Sequence, residues 1–435
     1  MTPPVSAPRL VAAVAASVAF VLALSAGPIV AEDLRALWYA AEFIARGDPA
    51  NVYAVYDGSF TMRPPEAWSD LQAARGEAGA LYPYLYPPLW AVLAAPLTTL
   101  TSFQTFAAVA AVLNALLLVG CGLLGWRIAA RALPPGAWVL ATTIATTVST
   151  VGAVALVQMQ PQILVSFLIL LAIERSRSGA QLQAGAALAL AAAIKLSPAL
   201  LVLLWVVTGR WRSVAAFTAT GLGLAALSVG LAGWPMHEAL LAQLSAIYGN
   251  VLVTTHSLGI PPLVAQLFDP DGLAWVEGAG SPGTANYWLS LELHAPWSQI
   301  VRLAPFVAVA AAAAIVARLS ADQRERLGWP LAVGLLLLSG PLTWTYSYIT
   351  LYAFLPILLE RFGKALGTVL LLMLLLPVNV DVVPSLKTLG PFPAPPQVYG
   401  TLSMIALTAI FALMAWQAVR VRQRPPRTEI RHAMP

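Results

Sequence analysis

Charge is scarce in this chain. Only 10% of its 435 residues are Asp, Glu, Lys or Arg, while 59% are hydrophobic. Soluble domains carry about 25% charged residues. So few charges cannot cover a water-soluble protein of 45.9 kDa, which excludes a soluble enzyme and a disordered chain. Cysteine is nearly missing as well: the single Cys121 permits neither a disulfide within the chain nor a cysteine metal site. Lying in an apolar run, it reads as a small packing residue. There is no Walker A loop and no Gly-x-Ser-x-Gly elbow, so nucleotide-powered transport and serine-hydrolase chemistry lack support. The apolar runs are continuous rather than alternating, which excludes a β-barrel. The pI near 9.4 does not indicate a nucleic-acid binder, because the basic residues are scattered between apolar runs. Much of the +5 net charge lies in the tail, where Arg420, Arg422, Arg424, Arg427 and Arg431 oppose only Glu429.

What is present is a series of apolar segments, several long enough to span a bilayer as helices. They predict an all-α polytopic membrane protein of about 11–13 membrane helices, several of them short or re-entrant, in a single membrane domain over 10–419. Residues 1–9 and the basic tail 420–435 are expected in the cytoplasm. The first span runs from Leu10 to Ala31. Its length and the poor cleavage site at Ser25-Ala26-Gly27 argue for an uncleaved helix. Two long polar loops, 32–86 and 233–299, fall on the outer face. The first holds eight of the 19 acidic residues and an amphipathic helical pattern from Leu34 to Arg46. Pro87 to Leu100 is too short to cross and reads as re-entrant. With that assignment nearly all Arg/Lys clusters become cytoplasmic, as the positive-inside rule expects. Segments too short to span point to an internal site, since broken helices are tolerated where they line a cavity.

Against so apolar a chain, a few polar residues stand out. Glu32 and Asp33 follow the first span directly. A carboxylate there suits a general base at the membrane surface, or it caps the helix that follows. Side by side, the two could also hold a divalent cation; no cofactor is otherwise implied. Lys195 sits in an apolar stretch before Ser197-Pro198, where an ammonium would bind a lipid phosphate or snorkel to a headgroup. Tyr82, Tyr84 and Tyr86 beside Pro87-Pro88 offer flat faces and hydroxyls for a sugar or isoprenoid, or form an interfacial belt. Trp344, Tyr346 and Tyr348 repeat that pattern. Gln158, Gln160 and Gln162 form a polar knot between two apolar spans and should face a cavity or a neighbouring helix. His237 and His256, in the second outer loop, are switchable donors. Their isolation does not form a metal site.

Six weak motifs occur in order. Asp33 is followed by Tyr39-Ala40-Ala41, Gly47-Asp48-Pro49 and Tyr53. Tyr86-Pro87-Pro88-Leu89 comes next, then Gln158-Met159-Gln160, Lys195-x-x-Pro198 with Gly209-Arg210-Trp211-Arg212, His256-Ser257-Leu258, and Gly340-Pro341-Leu342-Thr343-Trp344. Taken together they resemble the GT-C type membrane glycosyltransferases of family 87, which use polyprenyl-phosphate mannose. Two positions depart from that pattern. Val157 and Gln160 replace the Gly and Asn of the usual Gly-Gln-x-Asn, and Tyr346 stands where many members carry His.

The resemblance implies a hexosyltransferase of the bacterial inner membrane with its site on the outer, periplasmic face. Asp33 would be its catalytic base and Lys195 its phosphate-binding lysine. Its partners would be a polyprenyl-phosphate sugar donor, a lipid or glycan acceptor and membrane lipids. Tyr84, Tyr86, Gln158, Gln160, His256, Trp344 and Tyr346 are the remaining candidates for substrate binding. One base and direct displacement would invert the anomeric carbon, by analogy with one-step inverting glycosidases. A secondary transporter and an envelope polysaccharide polymerase or ligase are the alternatives. Transport does not require the long acidic loop after the first span. Polymerases would favour Arg in the outer loops, and the second loop has none before Arg302.

Overall fold

A computed structural model describes residues 7–25, 30–56, 60–278, 286–379 and 396–423. The chain is a bundle of helices with a small antiparallel sheet at one end. Helix α1 (Ala7–Leu24) is followed by α2 (Glu32–Ala45), then α3 (Glu66–Ala74) and two short helices, α4 (Pro88–Ala94) and α5 (Leu97–Leu100). The long α6 (Phe103–Ala129) leads into α7 (Pro135–Thr147) and α8 (Thr150–Val157), which bend by 74° at their junction. Next come α9 (Gln162–Arg177), α10 (Gln181–Ile194), a 3-10 turn over Ser197–Val202 with α11 (Leu203–Val207), and α12 (Trp211–Ala232).

Five helices are long and apolar enough to cross a membrane, among them α1, α6 and α12. The other two are α15 (Trp297–Val316) and α21 (Pro396–Gln423). The remaining apolar segments are shorter, as expected of broken helices: α4 with α5, α10, α11, α17 (Trp329–Ser339) and α20 (Lys364–Val378). Between α15 and α17 lies α16 (Ala321–Gln323); between α17 and α20 lie α18 (Ile349–Tyr352) and α19 (Ile357–Phe362). Ala26 and Gly27, in the first span read as uncleaved, and the tail beyond Gln423 lie outside the described residues.

Small residues let the short helices pack closely, as helices do where lipid supplies no hydrophobic drive. A Cβ on Gly185 of α10 would stand 2.3 Å from the carbonyl oxygen of Ser213 in α12. The central core is built from α6, α7, α9, α10 and α17, around Leu118, Trp138, Ile169, Leu188 and Leu331. Trp138 donates its indole N–H to the Ala353 carbonyl at 3.1 Å.

The Arg clusters that charge alone put on one face do meet there. Arg127 pairs with Glu174 at 2.7 Å, Arg177 with Asp322 at 2.8 Å, and Arg326 with Glu360 at 3.3 Å. The opposite end carries α2. Trp38 of α2 packs on Phe103 and Phe106 in the first turn of α6, and Arg127 sits in its last turn. The 27 residues of α6 separate the two ends by about 40 Å at 1.5 Å per residue.

The second polar loop is more ordered than its composition suggests. It holds α13 (Trp234–Tyr248), α14 (Ile260–Phe268) and three strands: β1 (Asn250–Val253), β2 (Ala274–Gly278) and β3 (Asn286–Glu292), ordered β1-β3-β2. Val251 pairs with Leu291 and Trp275 with Leu289. Leu252 and Trp288 pack with Phe60 and Met62 of the first loop and with Trp344. Arg63 and Glu277 form an ion pair between the two loops. The strands therefore tie both loops into one cap over the α2 end of the bundle.

Candidate active site

Two chain reversals create the polar centre. Ala31 enters α2 with φ 44°, and Met159 turns between α8 and α9 with φ 51°. Non-glycine residues in this left-handed region cost about 1–3 kcal/mol and persist where the surroundings hold them. Here each turn holds the other. The Ala31 N–H donates to the Val157 carbonyl at 3.0 Å, and the Glu32 N–H donates to Gln158 Oε1 at 3.1 Å. Both side chains pack in one apolar cluster with Leu34 and Ala107.

The same turns pair two amides with two carboxylates. Gln158 Nε2 donates to Glu32 Oε2 at 2.9 Å. Gln160, 1% exposed, donates its Nε2 to Asp33 Oδ2 and accepts the Tyr86 hydroxyl at Oε1, 3.0 Å away. Asp33 is partly exposed. Burial lifts its carboxyl from 3.8 to about 7; the Gln160 bond and Lys195 pull it down, while Glu32 pushes it up. It is therefore a carboxyl able to exchange a proton near neutrality.

Lys195 ends α10, where Pro198 stops the helix from continuing. Its Nζ donates to Gln162 Oε1 at 3.1 Å and to Ser347 Oγ at 3.4 Å, and lies 5.7 Å from the centre of the Tyr346 ring. Tyr346 stacks on Trp344, with ring centres 6.3 Å apart.

A cavity of about 420 Å³ joins these groups. Tyr86, Lys195, Ser197, Trp344, Tyr346 and Ser347 form its polar and aromatic side. Leu240, Leu244, Pro305, Phe306 and Leu337 form its apolar side. Phe306 on α15 is 53% exposed, so the apolar wall reaches the surface of a helix long and apolar enough to lie in lipid.

Among the sequence candidates, Tyr86, Lys195, Trp344 and Tyr346 line this cavity, and Asp33 stands behind Tyr86 through Gln160. Three other candidates sit elsewhere. Tyr84 is fully buried, bonded to the Pro87 carbonyl at 2.8 Å and packed on Tyr53 and Tyr86. Gln158 is engaged with Glu32. The His256 carbonyl accepts the Thr345 N–H at 2.8 Å, and the neighbouring Ser257 forms a bridge to Trp344, so this stretch braces the cavity wall through its backbone. His237 is taken up by the α12–α13 turn, against Gly233 and Ser228 at 2.8 and 3.0 Å. Ser347 is a cavity residue that the sequence does not single out; in a run of aromatic and hydroxyl residues it carries no distinguishing signal. No cluster of three His, Cys, Asp or Glu able to hold a metal ion occurs among the described residues.

A family model for glycosyltransferase family 87 matches residues 84–341, well over half the chain. The chain belongs to glycosyltransferase family 87. The match runs from Tyr84 to Pro341 and so takes in the Gln158–Gln162 turn, Lys195 and both short helices after it. No curated protein matches the chain. As a family 87 glycosyltransferase it uses a sugar donor and an acceptor. Its apolar helices make it a multi-pass membrane enzyme.

Proposed function

We propose that this glycosyltransferase moves a mannose-like hexose from a polyprenyl-phosphate sugar to a hydroxyl of a lipid or glycan acceptor at the outer face of the bacterial inner membrane. Asp33 is the base and Lys195 binds the donor phosphate. The reading is carried by one observation: Lys195 lines a cavity whose apolar wall reaches the exposed side of α15, and a carboxyl poised near neutrality stands behind Tyr86 of the same cavity through Gln160. A polyprenyl-phosphate sugar has the same division, with a polar sugar phosphate joined to a long apolar tail.

In this scheme Asp33 takes the acceptor proton as the hydroxyl oxygen attacks the anomeric carbon. The bond from that carbon to the phosphate oxygen breaks, and polyprenyl phosphate leaves with the electron pair. The Lys195 ammonium offsets the charge gathering on that oxygen, where a preorganised cation in a water-poor site acts most strongly. Trp344 and Tyr346 offer flat walls to the sugar. The isoprenoid tail lies along Pro305 and Phe306. A single displacement on the face opposite the phosphate inverts the configuration.

The test is a membrane assay with radiolabelled polyprenyl-phosphate mannose and, in parallel, polyprenyl-phosphate arabinose, comparing the native chain with Asp33→Asn. Transfer from one donor that disappears in the variant supports the reading. Turnover of Asp33→Asn near the native rate would remove Asp33 as the base.

A further inference from the structure

A cavity of about 1130 Å³ lies at the basic end of the bundle, far from Asp33. Four guanidinium groups line it: Arg9 on α1, Arg127 on α6, Arg131 after it, and Arg177 on α9. The only carboxylate in its wall is Glu174, which is buried and already held by Arg127 at 2.7 Å and Arg175 at 2.5 Å. Asp322, outside the wall, is shared between Arg131 and Arg177. Glu174 and Asp322 thus serve four arginines, Arg127, Arg175, Arg131 and Arg177, while Glu360 is taken up by the backbone N–H groups of Arg131, Ala132 and Leu133. Arg9 makes no ion pair among the described residues, and Nη1 of Arg177 is shielded from solvent with no hydrogen-bond partner. A buried donor left unpaired is costly, so this cavity is built to receive an anion.

Its remaining wall is apolar. Leu10 and Ala13 of α1, Trp126, and Leu140 of α7 face the same space. Beyond it Val11 and Ile144 are exposed on the outside of these helices, on a surface that lipid covers. A ligand with both an anionic head and an apolar chain fits the two halves. Basic pockets between membrane helices bind lipid headgroups by this division of charge, and a guanidinium matches a phosphate with two parallel hydrogen bonds.

We infer that this cavity is a binding site for the phosphate headgroup of an anionic phospholipid, with Arg9 and Arg177 on the phosphate and an acyl chain laid between α1 and α7. The site is separate from sugar transfer and stands whether or not the donor assignment holds.

The purified full-length protein in detergent is titrated with short-chain phosphatidylglycerol, phosphatidylcholine and inorganic phosphate, with thermal unfolding as the readout. Phosphatidylglycerol should raise the melting temperature by several degrees, and phosphatidylcholine much less. Arg9→Gln combined with Arg177→Gln should weaken the phosphatidylglycerol effect about tenfold or more in midpoint concentration, as expected for lost charge-assisted bonds. Arg212→Gln, on an exposed position outside this cavity, should leave it unchanged. Where the double variant does not fold, Arg9→Gln alone carries the same measurement. Equal stabilisation by phosphatidylcholine, an unchanged response in the Arg9 variants, or full stabilisation by inorganic phosphate alone would each overturn the lipid site.

Discussion

The Gln160 side-chain amide donates to the Asp33 carboxylate across 127 residues of sequence while its carbonyl accepts the Tyr86 hydroxyl. One side chain thus fixes the carboxyl and couples it to the cavity wall. Each of its polar atoms already holds one partner, so Gln160 is placed to position Asp33. Asp33→Asn should lower transfer by about a hundredfold to ten-thousandfold, the range for removing a general base. Asn can keep its oxygen toward the Gln160 amide, so the melting temperature should hold. Single-turnover kinetics together with a thermal melt separate the two effects.

The pH profile follows from the same carboxyl. With its pKa lifted from 3.8 to about 7, kcat/KM for transfer should rise with pH through that value, because the base works deprotonated. Stability should move the other way. Between about 4 and 7 the folded state holds a proton that the unfolded chain releases, so folding weakens as pH rises through that window. Asp33→Asn should flatten that part of the stability curve. An activity profile flat from pH 5 to 9 would show that Asp33 is not titrating in the step measured.

Gln160→Ala removes a bond that stabilises the charged carboxylate. The acid limb of the profile should therefore shift upward from the native one, with much of the activity restored at high pH. A purely structural loss would lower the whole profile without moving its midpoint. Tyr86→Phe removes a partner of Gln160 and not of Asp33, so its shift should be smaller and in the same direction.

Much of this arrangement is legible in the sequence, and the rest is not for physical reasons. The helices are visible because lipid forces long uninterrupted apolar runs. Asp33 and Lys195 are visible because charge is rare there, and their neighbours along the chain add little. What a linear reading cannot reach is partnership. Gln158 and Gln160 read as a knot facing a cavity or a neighbouring helix, but the sequence does not say that each is matched to a carboxylate in the first turn of α2 through two left-handed turns at Ala31 and Met159. Neither turn contains the glycine that would announce it. The three-stranded sheet is hidden for another reason: its strands of 4, 5 and 7 residues are too short to establish a period within the loop.

Lys195 should matter through the donor. Lys195→Ala deletes a charged donor bonded to Gln162 and Ser347, and hydrogen bonds to charged groups contribute about 1.5–3 kcal/mol. That corresponds to roughly a tenfold to hundredfold loss in kcat/KM for the polyprenyl-phosphate sugar. Lys195→Arg should retain part of the activity, because the charge remains while the geometry changes. Kinetics equal to the native chain in Lys195→Ala would mean that the ammonium only snorkels toward headgroups.

The basic end offers a test of stability that leaves the chemistry alone. Glu325 and Arg210 have side chains 3% and 17% exposed and are paired at 2.5 Å. Arg210 also donates to the Ser176 hydroxyl, which accepts the indole N–H of Trp205 at 2.9 Å. Removing the carboxylate leaves a guanidinium buried without its counter-charge, and breaking such a pair costs about 3–5 kcal/mol. Glu325→Ala should therefore melt well below the native chain. Replacing both partners with methionine removes the stranded charge and should recover much of the loss, since an apolar substitute for a buried pair is often neutral. Because α6 holds this end about 40 Å from Asp33, transfer per folded molecule should be unchanged in both variants. A double variant no more stable than Glu325→Ala would show that the Ser176 and Trp205 bonds, rather than the ion pair, hold α9, α11 and α12 together.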